Sequence, residues 1–183
     1  MTQLAVVASV FPERRRVAVL AVLVLVPLAP FYFGVGLAGV VGAVFLAALA
    51  VITVKDIEDR RIPNAIVLPT AALVFVATAA LHPHRALESA VAAIAAAAFL
   101  LVPGLLARGA VGMGDVKLVL LLGAALGRGV VSALLLGCAA ASVAGLFLLL
   151  RHGAAARKTA LPFAPFLTLG AVAAILLGAP HTL

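Results

Sequence analysis

The sequence predicts an all-α fold, a polytopic transmembrane helical bundle of about seven spans, with six to eight allowed by where the chain can be cut. Three observations carry this. Hydrophobic residues make up 66% of the 183 and charged residues only 10%, where soluble domains average roughly 25% charged. Several uncharged runs approach or exceed the roughly 20 residues that a spanning helix requires. Those runs are rich in Ala, Val and Leu and lack the period-2 alternation of a membrane barrel strand.

The elements follow from charges and Gly/Pro clusters. Arg14-Arg15-Arg16 ahead of an apolar run resembles the opening of a secretory signal, but no charged residue occurs from Val17 to Val54. That length suits two spans, 17–33 and 35–54, with Pro27, Pro30, Gly34 and Gly36 marking the turn between them. Further helices are expected at 65–81, 86–107, 116–126, 130–150 and 162–177. The fifth, 116–126, is too short to span alone and reads as tilted, begun earlier, or a half-helix buried by its neighbours. Residues 1–16 form a short cytoplasmic tail in this reading, and 17–183 a single transmembrane domain. Small residues throughout suit close helix packing.

Basic residues set the orientation, because Lys and Arg collect in cytoplasmic loops. With the N-terminus inside, Arg14, Arg15, Arg16, Lys55, Arg60, Arg61, Arg108, Lys117, Arg151, Arg157 and Lys158 fall on the cytoplasmic side and only Arg85 and Arg128 outside, eleven of thirteen. The net charge of +7 is thus topological. It is spread thinly between apolar segments, so no nucleic-acid partner is expected. Cys138, the single cysteine, excludes an intramolecular disulfide or a cysteine metal cluster and reads as a small buried hydrophobe. His82 and His84 fall on the opposite side from the aspartates, with only Glu88 near them. No metal site and no cofactor are expected.

The same topology brings two carboxylates to one membrane face although 59 positions separate them. Asp56 opens the run Asp56-Ile57-Glu58-Asp59-Arg60-Arg61-Ile62-Pro63-Asn64, and Asp115 closes Gly112-Met113-Gly114-Asp115. Carboxylates so near lipid are costly and therefore functional candidates. Facing each other, they form a general acid/base pair, one taking a proton from water while the other, protonated, polarises a carbonyl. Like charges at close range cannot both ionise, so the pair would hold one proton as a unit. Gly112 and Gly114 would let the chain turn and approach another helix or an extended peptide. Pro63 restricts Ile62 to extended conformations, and Asn64 is a natural N-cap for the next helix. Glu58 and Asp59 read as solvated loop charges able to attract a basic peptide. Lys117, two positions after Asp115, would not share its helix face.

These motifs resemble the type IV prepilin peptidases and their archaeal preflagellin relatives, which are membrane aspartyl proteases. The matching residues are Asp56 with Arg61-Ile62-Pro63-Asn64, then Gly112-Met113-Gly114-Asp115-Val116-Lys117-Leu118, and Leu161-Pro162-Phe163-Ala164-Pro165-Phe166, similar to the opening of the last helix in bacterial members. The resemblance implies that Asp56 and Asp115 are catalytic and that cleavage occurs at the cytoplasmic face of the inner membrane, and Gly112, Gly114, Glu58, Asp59 and Lys117 beside them are the candidates for shaping the site or binding substrate. It implies a pilin or pseudopilin precursor as substrate, with a short basic leader ahead of an apolar helix, a Flp-type pilin being preferred. Paired zinc-binding cysteines, associated in many bacterial members with N-methylation, are missing, so the expectation is peptidase activity without methylation.

Two other classes compete. A proton- or cation-coupled transporter accounts for intramembrane carboxylates equally well, but not for Ile62-Pro63-Asn64 or the third motif. A non-catalytic subunit of a pilus or secretion machine would keep its function after both aspartates became Asn.

Overall fold

The computed structural model describes residues 14–106, 112–152 and 161–183. All regular structure among them is helical. α1 (Arg14–Leu25) passes through a 3-10 turn at Val26–Leu28 into the short α2 (Ala29–Phe33). α3 (Leu37–Asp59), α4 (Asn64–Leu81), α5 (Pro83–Leu106) and α6 (Met113–Leu126) follow. A second 3-10 turn at Gly127–Gly129 leads to α7 (Val130–His152) and then α8 (Ala164–Leu176). By length and composition α3, α4, α5 and the stretch Met113–Arg151 can each cross a membrane, and Leu20–Phe33 and Ala164–Leu176 are shorter apolar helices. The expected polytopic bundle is thus present, and the chain is a membrane protein. Of the sequence expectations, the tail through residue 13, Arg108, Arg157 and Lys158 lie outside the described residues.

The expected turn between the first two spans falls at Gly34 and Gly36, whose φ values of +80° and +106° only glycine adopts readily. Pro27 instead lies within the 3-10 turn, Val26–Leu28, that separates α1 from α2. Pro69 and Pro103 lie inside α4 and α5, tolerable where neighbouring groups satisfy the freed backbone. Beside Pro69, the Thr70 hydroxyl donates to the Ile66 carbonyl at 2.7 Å.

Packing explains why a helix as short as α6 survives. Its 14 residues reach roughly 21 Å, well short of a hydrocarbon core of roughly 30 Å. It is enclosed by α4 and α5, and Leu118, Val119, Leu121, Leu122, Ala125 and Leu126 are all fully buried. α7 pairs with α8, α8 packs on α3, and α3 packs on α1, α2 and α4. Missing side chains allow the tightest of these contacts. A Cβ on Gly170 would strike the Ala133 carbonyl and come 2.5 Å from the Gly137 nitrogen, locking α8 against α7, and one on Gly123 would come 2.5 Å from the Ala93 Cα, locking α6 against α5. In lipid such close backbone approach supplies the packing energy that water would otherwise drive.

At the end of the bundle away from the aspartates, residues 179–183 fold back over α6. The Thr182 hydroxyl donates to the Ala124 carbonyl at 2.7 Å, and the Ser89 hydroxyl reaches the same carbonyl at 2.8 Å. These bonds anchor α5, α6 and the C-terminal segment to one another.

Candidate active site

Asp56 lies in the last turn of α3 rather than in a loop, because α3 runs on to Asp59. It is buried, 6% exposed. The helix closes when the Arg60 amide donates to the Asp56 carbonyl at 3.0 Å, with Arg60 left-handed at φ +51° and ψ +36°. A non-glycine residue there carries roughly 1–2 kcal/mol of strain, placed directly beside the candidate catalytic group. The chain then turns through Ile62 and Pro63 into α4.

Asp115 also belongs to a helix, as the third residue of α6, which starts at Met113 and not after the aspartate. Its amide donates to the Gly112 carbonyl at 3.0 Å. Gly112 has φ −72° and ψ 138°, extended backbone open to any residue, so the expected special turn is not the reason for glycine. Space is the reason: a Cβ on Gly112 would sit 3.0 Å from Asp115 Oδ2, and one on Gly114 only 2.9 Å from the Ile62 Cβ. The second glycine therefore seats the α3–α4 turn against the start of α6. This contact brings the Asp56 and Asp115 motifs together, close enough for the two carboxyl charges to act on each other.

Two further bonds fix this corner. The Lys117 ammonium donates to Asn64 Oδ1 at 2.9 Å, linking the first turn of α4 to α6. Asn64 is accordingly not the expected N-cap. Pro63 holds that position, without a side-chain cap bond, and Asn64 is the first helical residue. The second bond comes from α8, whose Ala164 amide donates to Asp56 Oδ2 at 2.9 Å in a buried setting. A carboxylate at a helix N-terminus satisfies an otherwise orphan amide and complements the helix dipole. One turn earlier on α3, the Thr53 hydroxyl donates to the Thr168 hydroxyl at 2.9 Å and fixes the register of α8 on α3.

Glu58 and Asp59 are helical rather than loop residues, their carboxylates 3.5 and 3.6 Å from the Lys55 ammonium. Lys55 and Asp59 are exposed and Glu58 is partly buried, and pairs so near the surface contribute little to stability. They lie within a turn of Asp56, with Asp59 the more open to solvent.

Residues 43–150 match the model of the type IV leader peptidase family. The chain belongs to that family. It is therefore a protease of the leader peptidase kind, in agreement with the resemblance carried by the two aspartate motifs. The match contains Asp56, Ile62, Asn64, Gly112, Gly114, Asp115 and Lys117 and ends before α8. No curated protein and no solved structure matches the chain.

Sequence reasoning missed three contributors. Ala164 acts through its backbone, and no side-chain motif reports an amide, although Pro162 and Pro165 around it mark a helix start. Thr53 reads as one more residue of an apolar run. The Lys117 to Asn64 bond joins residues 53 positions apart, so neither position alone points to the other.

Proposed function

We propose that the chain is a prepilin-type leader peptidase that cleaves by a two-aspartate mechanism. The observation that carries this reading is the seating of the Asp56 turn on Gly114, which gathers two carboxylates at one end of an apolar bundle. Family membership supplies the protease class, and the chemistry follows from the residues. Asp56, ionised and held by the Ala164 amide, takes a proton from water. Asp115, carrying the proton shared by the pair, donates a hydrogen bond to the scissile carbonyl. Attack by the water oxygen on the carbonyl carbon gives a tetrahedral intermediate. Its collapse, with a proton passed to the leaving nitrogen, separates leader from mature chain.

The substrate in this reading is a pilin or pseudopilin precursor with a basic leader before an apolar helix. Glu58 and Asp59 suit the leader by charge, and the absent side chain at Gly112 leaves the Asp115 carboxylate uncrowded. The excess of bases at the aspartate end supports an orientation with the N-terminus and site cytoplasmic, in the inner membrane.

The test is co-expression of the chain with a Flp-type pilin precursor, read by mobility shift and N-terminal mass. Wild type should make one cut after the leader, and Asp56→Asn and Asp115→Asn none. Processing that survives in both variants would remove the dyad and leave an assembly subunit. No cut by wild type across several pilin classes, together with proton-coupled flux in vesicles, would favour a transporter.

A further inference from the structure

Far from the aspartates, α5 and α7 part over the end of α6 to leave a groove of about 820 Å³. Its walls are apolar. Val91, Ala95 and Phe99 form one side on α5, and Leu135 and Cys138 the other on α7. Its polar groups gather at one end, where Glu88 and Arg128 lie with His84 beside them. From Glu88 to Phe99 along α5 is roughly 16 Å at 1.5 Å per residue, close to half of a hydrocarbon core of roughly 30 Å. The groove thus runs from one membrane interface to the midplane, in the leaflet opposite the aspartate end.

The charges at the mouth are arranged in a particular way. Arg128 meets Glu88 Oε1 through its backbone amide at 3.3 Å and its Nε at 3.6 Å. The side chain is nevertheless 84% exposed, so the outer edge of the guanidinium faces away from the protein. Arg85, the other base at this end, is already bonded to the His181 carbonyl at 3.1 Å. The mouth therefore offers a cation and an anion side by side, above a slot one acyl chain deep.

We infer that this groove is a binding site for one zwitterionic aminophospholipid of the phosphatidylethanolamine kind. Its phosphate lies against the Arg128 guanidinium, its ammonium against the Glu88 carboxylate, and its acyl chains run down between α5 and α7. An anionic lipid lacking an amine would meet Glu88 as a like charge. The guanidinium fork suits a phosphate geometrically, and the apolar walls suit acyl chains as in other ligand clefts. This inference does not rest on the peptidase reading.

The chain supplies its own reporter, since its single cysteine lines the groove. The full-length protein is purified in detergent, stripped of lipid, and titrated with phosphatidylethanolamine or phosphatidylglycerol. Bound lipid is counted by native mass spectrometry, and Cys138 alkylation by N-phenylmaleimide is timed alongside. The expected result is one phosphatidylethanolamine retained at a tenfold lower concentration than phosphatidylglycerol, with alkylation slowed at least fivefold. Glu88→Gln should erase the headgroup preference, whereas Arg128→Gln should weaken retention of both lipids. Ala95→Trp, at an exposed wall position, should lower retention tenfold while leaving the melting temperature near wild type. Equal retention of both lipids by wild type, or unchanged Cys138 reactivity in saturating phosphatidylethanolamine, overturns the proposal. So does protection of Cys138 by an apolar peptide helix but not by lipid, which makes the groove a helix dock instead.

Discussion

Gly114→Ala tests whether close seating of the α3–α4 turn on α6 sets the activity. The added Cβ would lie 2.9 Å from the Ile62 Cβ, 3.3 Å from its Cγ1 and 3.4 Å from its Cδ1. Carbon atoms in good contact stand roughly 3.5–4.0 Å apart, so the turn must retreat by roughly 0.6–1 Å. A side-chain rotation cannot relieve this, because the nearest atom is the Ile62 Cβ, fixed to the backbone. Overpacking of this size costs about 1–3 kcal/mol of stability. Misplacing one reacting group by about 1 Å costs on the order of 10²-fold in rate. The expected outcome is a cleavage rate near 1% of wild type in single-turnover assays on a purified precursor, with a lowered but cooperative melt. Ile62→Gly deletes the opposing Cβ. In that background Gly114→Ala should cost no more than about threefold, a coupling of a few kcal/mol across one contact. Wild-type rates for Gly114→Ala alone, or the same hundredfold loss in the Ile62→Gly background, would refute the reasoning.

Glu58→Gln should retain most of the cleavage that Asp56→Asn and Asp115→Asn abolish, with all three variants showing the helical circular dichroism of the parent. Equal loss in all three would mean that the assay reads general acidity at this end and not a dyad. Lys117→Met breaks an exposed bond to Asn64 worth about 0.5–1.5 kcal/mol, so rates should fall by less than about tenfold, and Asn64→Ala should add nothing further. Arg60→Gly relieves a left-handed non-glycine residue and should raise stability by about 1 kcal/mol, read as a higher melting temperature. Gly170→Ala forces α8 from α7 at the Ala133 carbonyl and the Gly137 backbone and should cost about 1–3 kcal/mol. Because the same helix holds Asp56, its cleavage rate should fall as well.

The fold class was legible because lipid imposes a simple demand: the chain must satisfy its backbone internally over long apolar stretches, and only helices in this composition do so. Boundaries at Gly34, Gly36 and Leu81 followed from residues whose backbone preferences are local. The end of α3 and the start of α6 were not local in this sense. Charged residues suggested loops at Asp56 and Asp115, yet both helices run through them, because a carboxylate at a helix end costs little when an amide or a glycine-made gap receives it. Gly112 and Gly114 matter at the expected positions but for a different physical reason. Neither Gly112 nor Gly114 has a positive φ, and what matters is the atom that each lacks. Asn64 illustrates the same limit, since its preference for capping yielded to a lysine from a helix distant in sequence.

The family match ends at residue 150, but the candidate site does not. Asp56 accepts a hydrogen bond from Ala164, and that amide is available only because α8 begins there and is held in register by Thr53 on one side and Gly170 on the other. The constraint on the last helix is therefore one of backbone position, which many side chains can meet provided that small residues remain at the α7 contact and a helix start remains opposite Asp56. In the proposed mechanism the aspartate motifs answer to a stricter constraint, since both carboxylates take part in the chemistry and the Gly114 contact leaves no room for a side chain. An ordered pair of acidic motifs followed by a permissive helix is what this division of labour leaves in a sequence, and the site is complete only when all three are packed at one end of the bundle.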